Sequence, residues 1–324
     1  MNVVRSALSR LLQGLALVLA VVILNFVLVH AAPGDPVETI AGASGGMSPE
    51  LMAQLRAQYG LDKPLVVQLG VYLGKVLRGD LGYSYFFNLP VSSMIAERVP
   101  ATLLLVISSV LLAFVIGTTL GVLSSRKPNG ILSQFITVLS MVGFAAPVFW
   151  MGIMLVILFA SVIPILPVSG MRAADASGGG VKDALDVLHH LVLPTLTLSL
   201  VYLAQYSRLA RSAMLDVLGS DFIRTARAKG LADRVVLYKH ALRNALLPVV
   251  TVLGLQFGNV MAGAILVETV FNWPGLGRLA FESVLRRDYP TILGVLLFSS
   301  IVVIVMNLLT DVCYRLIDPR IKTS

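Results

Sequence analysis

Charge is scarce in this chain. Only 13% of its 324 residues are Asp, Glu, Lys or Arg, against 57% hydrophobic. A mean hydropathy of +0.87 lies far above that of soluble domains. The apolar runs are long and do not alternate, so the class is an all-α integral membrane protein. Cysteine is nearly absent too. Cys313 is the one residue of its kind and can form no internal disulfide; its place in a C-terminal apolar run points to neither a reactive nor a metal role. No G-x-x-x-x-G-K-[ST] loop is present to cradle nucleotide phosphates, so this chain is not expected to hydrolyse ATP. H-E-x-x-H and C-x-x-C are missing, and no metal site is expected. The four histidines, His30, His189, His190 and His240, are scattered. Only His189 and His190 adjoin, and successive residues on a helix point in different directions.

Ionisable residues are also missing from the middle of the apolar runs. A charge at the centre of a bilayer is costly and marks ion or proton coupling. Glu268 comes nearest, and it sits at the outer end of its run. This counts against a secondary transporter driven by protons, so the energy must come from elsewhere. The formal net charge of +8 does not signal nucleic acid, because the basic residues gather in loops that flank apolar runs.

Six stretches are apolar enough to span a bilayer: 11–29, 103–123, 131–168, 191–209, 247–271 and 291–309. The first follows a short basic segment, as a signal peptide does, but it is longer than a usual signal core and reads as a retained span. The third is longer than one straight span needs. Pro147 inside it predicts a kinked, tilted helix ended by Pro164 and Pro167, with a helix plus a re-entrant piece as the alternative. Residues 37–98 are the most polar long stretch. Ser48, Pro49 and Glu50 make a good helix start and Gly60 a stop. A second helix runs from 61–64 to about Arg78, with Leu65, Leu69, Tyr72 and Val76 as its apolar stripe. Residues 169–188 read as loop, and 279–288 as a short amphipathic piece. Placing the N-terminus inside puts Arg5, Arg10, Arg126, Lys127, Arg208, Arg211 and the tail residues Arg315, Arg320 and Lys322 on the inner side. Both termini are therefore expected to be cytoplasmic.

Residues 220–248, SDFIRTARAKGLADRVVLYKHALRNALLP, form the most basic segment, set between two of these runs. They read as two short helices around a turn. Ser220 or Asp221 can cap the first helix, Gly230 falls where it should stop, and Asp233 can cap the second. Leu231, Val235, Tyr238 and Leu242 would share one face of the second, and Pro248 would open the next run. Positive charge explains topology alone. It does not explain a folded helix–Gly–helix, or apolar Phe222, Ile223 and Leu231 exposed outside the bilayer, which suggests a protein partner.

The segment resembles the cytoplasmic coupling loop of ABC importer permeases. Ala226 and Gly230 match the second alanine and the glycine of that pattern, and Leu242 matches the leucine near its end. Arg224, Thr225 and Arg243 depart from the general pattern but resemble the peptide/nickel branch, as do the FNWPGLGRL and RRDYP strings and Asp318-Pro319-Arg320. The resemblance covers nearly the whole chain. It implies a B-type permease of the dipeptide/oligopeptide/nickel importers, closest to dipeptide-like members, with the type I ABC importer architecture of six transmembrane helices in the bacterial inner membrane. The implied division is residues 1–98, the first span with an external helical loop, and 99–318, a five-helix domain carrying a coupling loop at 216–247. The implied ATPase-coupling residues are Asp221, Arg224, Thr225, Ala226, Gly230 and Leu231. The implied partners are a second permease, two ATPase subunits that hold ATP and Mg, and an extracytoplasmic solute-binding protein, with no cofactor in this chain.

Tyr202, Gln205, Tyr206, Gln256 and Asn259 are uncharged polar residues inside spans. They suit either helix–helix hydrogen bonding or a wet translocation path. Tyr202, Gln205, Gln256 and Asn259 are the path candidates, and Gly258 and Gly263 suit close helix packing. The solute stays open between short peptides, glutathione and nickel chelates. A stand-alone secondary transporter and a non-transporting scaffold remain the readings from other classes.

Overall fold

A run of about twenty apolar residues in lipid must satisfy its own backbone, and the helix does so within one segment. The structure, a computed structural model, describes residues 2–31, 37, 48–59, 62–84, 86–173 and 179–317. The expected turn at 33–36, the stop at Gly60 and the tail at 318–322 lie outside the described residues, as does the side chain of Cys313. Among the described residues, the helices are α1 (Asn2–Ala31), α2 (Pro49–Tyr59), α3 (Leu65–Leu77), α4 (Val91–Arg126), α5 (Ile131–Ala145), α6 (Val148–Val156), α7 (Val181–Leu218), α8 (Asp221–Ala228), α9 (Asp233–Val235), α10 (Leu242–Val270), α11 (Leu276–Arg286) and α12 (Tyr289–Ile317). Two-residue strands β1 (Tyr83–Ser84) and β2 (Leu89–Pro90) pair antiparallel, an addition to the all-helical expectation.

Three described helices are long and apolar enough to cross a membrane: Val91–Arg126, Val181–Leu218 and Tyr289–Leu308. Leu12–Leu28 is a shorter apolar helix. The 131–168 stretch is not one gently kinked helix. Ser133–Gly143 and Val148–Val162 meet at 105°, which makes it a broken span or a re-entrant loop. The break falls at Ala146 and Pro147, both extended, because proline disfavours helical geometry in the residue before it. The second half ends in a π-helical turn, Ile157–Val162. The stretch read as loop at 169–188 is helical from Val181, since α7 extends well beyond its apolar middle at both ends.

The chain divides into two units. The first holds residues 1–100 and 278–305. In it, Ser48 Oγ accepts the Leu51 N–H at 3.3 Å, the cap expected of α2. The Glu50 carboxyl is held below its ordinary value by its own backbone N–H, then by the Ser48 hydroxyl. Helix α3 turns Leu69, Tyr72 and Val76 inward, while Leu65 is exposed. His30 bonds Gln68 Oε1 at 2.9 Å, and the Phe26 and Tyr72 rings lie 6.1 Å apart. Buried Asp288 accepts hydroxyl donors from Ser84 at 2.5 Å and Thr291 at 2.7 Å, so the hairpin is fastened to the start of α12.

The second unit holds residues 101–277 and 306–324. Its main core joins α4, α7 and α10 through Leu105, Val110, Leu193, Leu198, Val260 and Val267. Gly117 and Gly121 let α4 press on α7: a Cβ at Gly117 would lie 2.7 Å from the Leu203 carbonyl oxygen. Outside the spans' middle, Arg211 donates to the Pro128 carbonyl at 3.0 Å, which ties the basic 126–130 turn to α7.

Candidate functional site

The basic segment after α7 folds as a helix, a glycine turn and a second helix. Ser220 occupies the cap position with extended backbone (φ −75°, ψ 154°), but neither it nor Asp221 caps by side chain. Its hydroxyl instead donates to the Val217 carbonyl at 2.5 Å, an oxygen that also accepts the Ser220 N–H at 3.1 Å. Asp221 sits in the first turn of α8 and Arg227 in the last, each at the end whose backbone dipole favours its sign. The Arg224–Asp221 pair, at 3.4 Å, is largely solvated and contributes little. Thr225 turns its hydroxyl onto its own helix, donating to the Asp221 carbonyl at 2.9 Å.

The helix ends as expected. Gly230 has φ +74°; its N–H bonds the Arg227 carbonyl at 2.9 Å, and the Leu231 N–H bonds the Ala226 carbonyl at 3.4 Å. This pair of bonds is the glycine-dependent Schellman closure.

Helix α8 has two faces. Ile223, fully buried, and Ala226 point inward onto Val122, Met214, Val236, Leu237, Ala241 and Ala245. Phe222, Arg224, Thr225, Arg227, Lys229, Gly230 and Leu231 are exposed. Of the three apolar residues expected outside, Phe222 and Leu231 are exposed and Ile223 is not. Ile223 is the anchor that seats the short helix. Ile223→Ala should destabilise this seat by about 2–5 kcal/mol, read as lost hydrogen-exchange protection across 221–228. Protection equal to wild type would refute the anchor.

The second helix differs more from expectation. Asp233 lies in the first turn rather than at the cap, which Ala232 occupies. Helix α9 then runs through a π-helical stretch, Val236–Ala241, directly into α10. Pro248 therefore lies within one continuous helix and opens nothing. The inserted π residue shifts the helical phase. Val236, Leu237, Ala241 and Ala245 face the core, while Leu231, Val235 and Tyr238, from the expected stripe, are exposed.

Deeper in the unit, the Gln256 amide donates to Gln205 Oε1 at 2.5 Å, joining α10 to α7. Gln256 is 4% exposed and Gln205 half-buried. Tyr202 is half-buried against the apolar cores, and Tyr206 is buried with its ring edge-on to Phe114 at 5.8 Å. The side chains of Asn259 and the surroundings of Gly258 and Gly263 lie outside the described residues. Gly117 and Gly121, at a G-x-x-x-G spacing readable in the sequence, are close-packing glycines that can be described. Gln256→Leu should cost about 1 kcal/mol of stability, seen as a lower melting temperature in detergent. An unchanged melting temperature would remove the bond from the packing account.

A family model for the binding-protein-dependent transport system inner membrane component matches residues 117–323, and its N-terminal companion matches residues 3–106. The chain belongs to this family of transport-system inner membrane components. It is 43% identical over 321 residues to a putative peptide permease protein of Brucella suis, covering 99% of each chain. It is 42% identical over 322 residues to the dipeptide transport system permease protein of Escherichia coli K12, covering 94% of each. It is 40% identical over 318 residues to the oligopeptide transport system permease protein of Bacillus subtilis, covering 97% of this chain and 98% of that one. Its fold is similar to that of the MetNI methionine ABC transporter in an inward-facing conformation, with TM-score 0.54 at 18% identity over 69% of this chain and 96% of that one. The family's inner-membrane setting agrees with the long apolar helices.

Proposed function

We propose that this chain is the membrane-spanning permease subunit of an ATP-driven importer for short peptides. It would form half of the translocation path and leave ATP hydrolysis to partner subunits. The observation that carries the coupling role is α8: a short helix seated by Ile223 and Ala226 that holds Phe222, Arg224, Arg227 and Leu231 outward. A rigid, basic, partly apolar knob of this kind suits a cleft on a soluble ATPase. The solute class rests on the peptide permeases that resemble the chain along nearly its full length.

In this reading six spans cross the membrane and both termini are cytoplasmic. The Arg211–Pro128 bond supports this reading, because it ties the basic 126–130 turn to the end of α7 that leads into the basic segment. The partners are a second, similar permease, two ATPase subunits and an extracytoplasmic solute-binding protein. Closure of the ATPase pair moves α8, and the bundle alternates between outward and inward access. Tyr202 and Gln205 line the path, with Gln256 orienting Gln205 from behind and Asn259 less than one turn further along α10.

The test is affinity purification of the tagged chain in mild detergent with mass spectrometry of its partners. It is followed by ATP-dependent uptake of a radiolabelled dipeptide into vesicles. Recovery of an ATPase and a second permease, with uptake, supports the reading. A folded preparation that moves dipeptide without any ATPase overturns it. Phe222→Ala should leave stability within about 0.5 kcal/mol of wild type, read as an unchanged melting temperature, since the side chain is exposed. ATPase subunits co-purified with that variant should fall severalfold; full recovery would remove Phe222 from the docking surface.

A further inference from the structure

The fully buried carboxylate of Glu268, at the end of α10, has no part in the coupling scheme above. Its Oε1 accepts the Thr102 hydroxyl at 2.6 Å, and Thr102 Oγ1 in turn accepts the Leu276 N–H at 2.8 Å. The Glu268 carbonyl accepts the Trp273 N–H at 2.8 Å, and the Trp273 indole N–H donates to the Ala101 carbonyl at 2.8 Å. Phe271, Trp273 and Leu276 are buried around these bonds. The loop that carries them is shaped to the carboxylate. A Cβ at Gly275 would fall inside the Glu268 carboxyl group, and one at Gly277 would lie 2.5 Å from the Ile265 Cα. The NWPGLG string thus folds over Glu268 and fastens it to the start of the apolar part of α4.

We infer that Glu268, Thr102 and the 271–277 loop form an outer latch, with Glu268 as a positioning residue that makes the apolar part of α4 from Thr102 onward move with the end of α10 during transport. The inference rests on the importer reading. Helix is continuous from Asp233, just after the coupling helix, to Val270 beside the latch. At 1.5 Å per residue this rod is roughly 57 Å long. Motion imposed at α8 reaches Glu268 along one helix and crosses to α4 through Thr102. A buried polar set of this kind is either whole or broken, because a donor or acceptor left without its partner cannot turn to water.

Thr102→Val removes the hydroxyl and keeps the shape of the side chain; Thr102→Ser keeps the hydroxyl. Each variant, and Glu268→Gln, would be purified with its partner subunits and reconstituted, with ATP hydrolysis and radiolabelled dipeptide uptake measured together. The wild-type complex comes first, and absence of ATP-dependent uptake there would overturn the importer reading and the latch with it. The latch predicts that Thr102→Val assembles and hydrolyses ATP, yet moves about tenfold less dipeptide per ATP, while Thr102→Ser and Glu268→Gln, whose amide oxygen still accepts the Thr102 hydroxyl, stay within about twofold of wild type. An unchanged ratio in Thr102→Val would overturn it. So would loss of assembly with hydrolysis and uptake falling together, since the set would then only hold the fold.

Discussion

Gly230→Pro in the assembled importer should hydrolyse ATP while taking up almost no dipeptide. Space is not the reason, since a Cβ at this glycine would meet nothing within 4 Å. The backbone is. Gly230 holds φ at +74°, and its N–H closes α8 onto the Arg227 carbonyl. Proline fixes φ near −65° and has no N–H, so the turn would have to open at a cost of about 3 kcal/mol or more. The damage stays local because the turn is exposed. The bundle can persist, and α8 can still present Phe222 and the arginines for docking, while its fixed tie to the helix that follows is lost. A graded series separates conformation from bulk. Asn, which tolerates left-handed backbone, should keep most of the uptake, and Val, which does not, should behave like Pro. Unchanged uptake in Gly230→Pro would end the coupling role proposed for this turn. Equal loss in Asn and Val would place the requirement in side-chain volume at a docked surface.

Gly121→Val should yield little or no folded protein. Its Cβ would lie 2.5 Å from the Ser207 carbonyl oxygen, 2.7 Å from the Ala210 Cβ and 2.9 Å from the Arg211 N. Two of these are backbone atoms of α7 and cannot rotate aside. The helices would have to part, which also strips Gly117 of its contact one turn earlier. Replacing glycine within a helix normally gains up to about 1 kcal/mol, but overpacking here costs about 1–3 kcal/mol or more and is spread along the whole contact. Gly143→Ala is the matched control. A Cβ there would sit 3.5 Å from the Leu200 carbonyl oxygen, an ordinary contact, so this variant should accumulate as wild type does. Fluorescence-detected size exclusion in detergent reads both. A monodisperse Gly121→Val peak of wild-type height would show that α4 and α7 need not touch here.

Much of the coupling segment was legible in the residues. Gly230 could be placed because few other residues accept positive φ at a helix end, and the string from Asp221 to Leu231 defined a helix with a stop. Which face of that helix turned inward was not legible. Phe222 and Ile223 are adjacent and equally apolar, and only the pocket made by Met214, Val236 and Leu237 chooses Ile223. Of the apolar stripe at 231–242, Leu242 packs against the inward cluster, while Leu231 and Val235 are exposed ahead of the π stretch and Tyr238 is exposed within it; spacing alone does not say which face meets the core. Glu268 was seen as an end-of-span carboxylate. Its partner Thr102 lies on another helix, on a segment that its own sequence neighbourhood cannot name.

By itself the sequence determined that the chain is helical and lives in the membrane, because apolar length and missing charge leave no other solvent for it. It also marked the turn at Gly230 and the break at Pro147, because glycine and proline act through their own backbones, whereas Pro248 lies inside a continuous helix. The tertiary structure decided which side chains meet: Ile223 rather than Phe222 as anchor, Gln205 with Gln256, Gly121 against Ser207, and Glu268 under the 271–277 loop. Backbone preference is a local energy and can be read residue by residue. Packing is a sum over segments far apart in the chain, and it has no value until they are brought together.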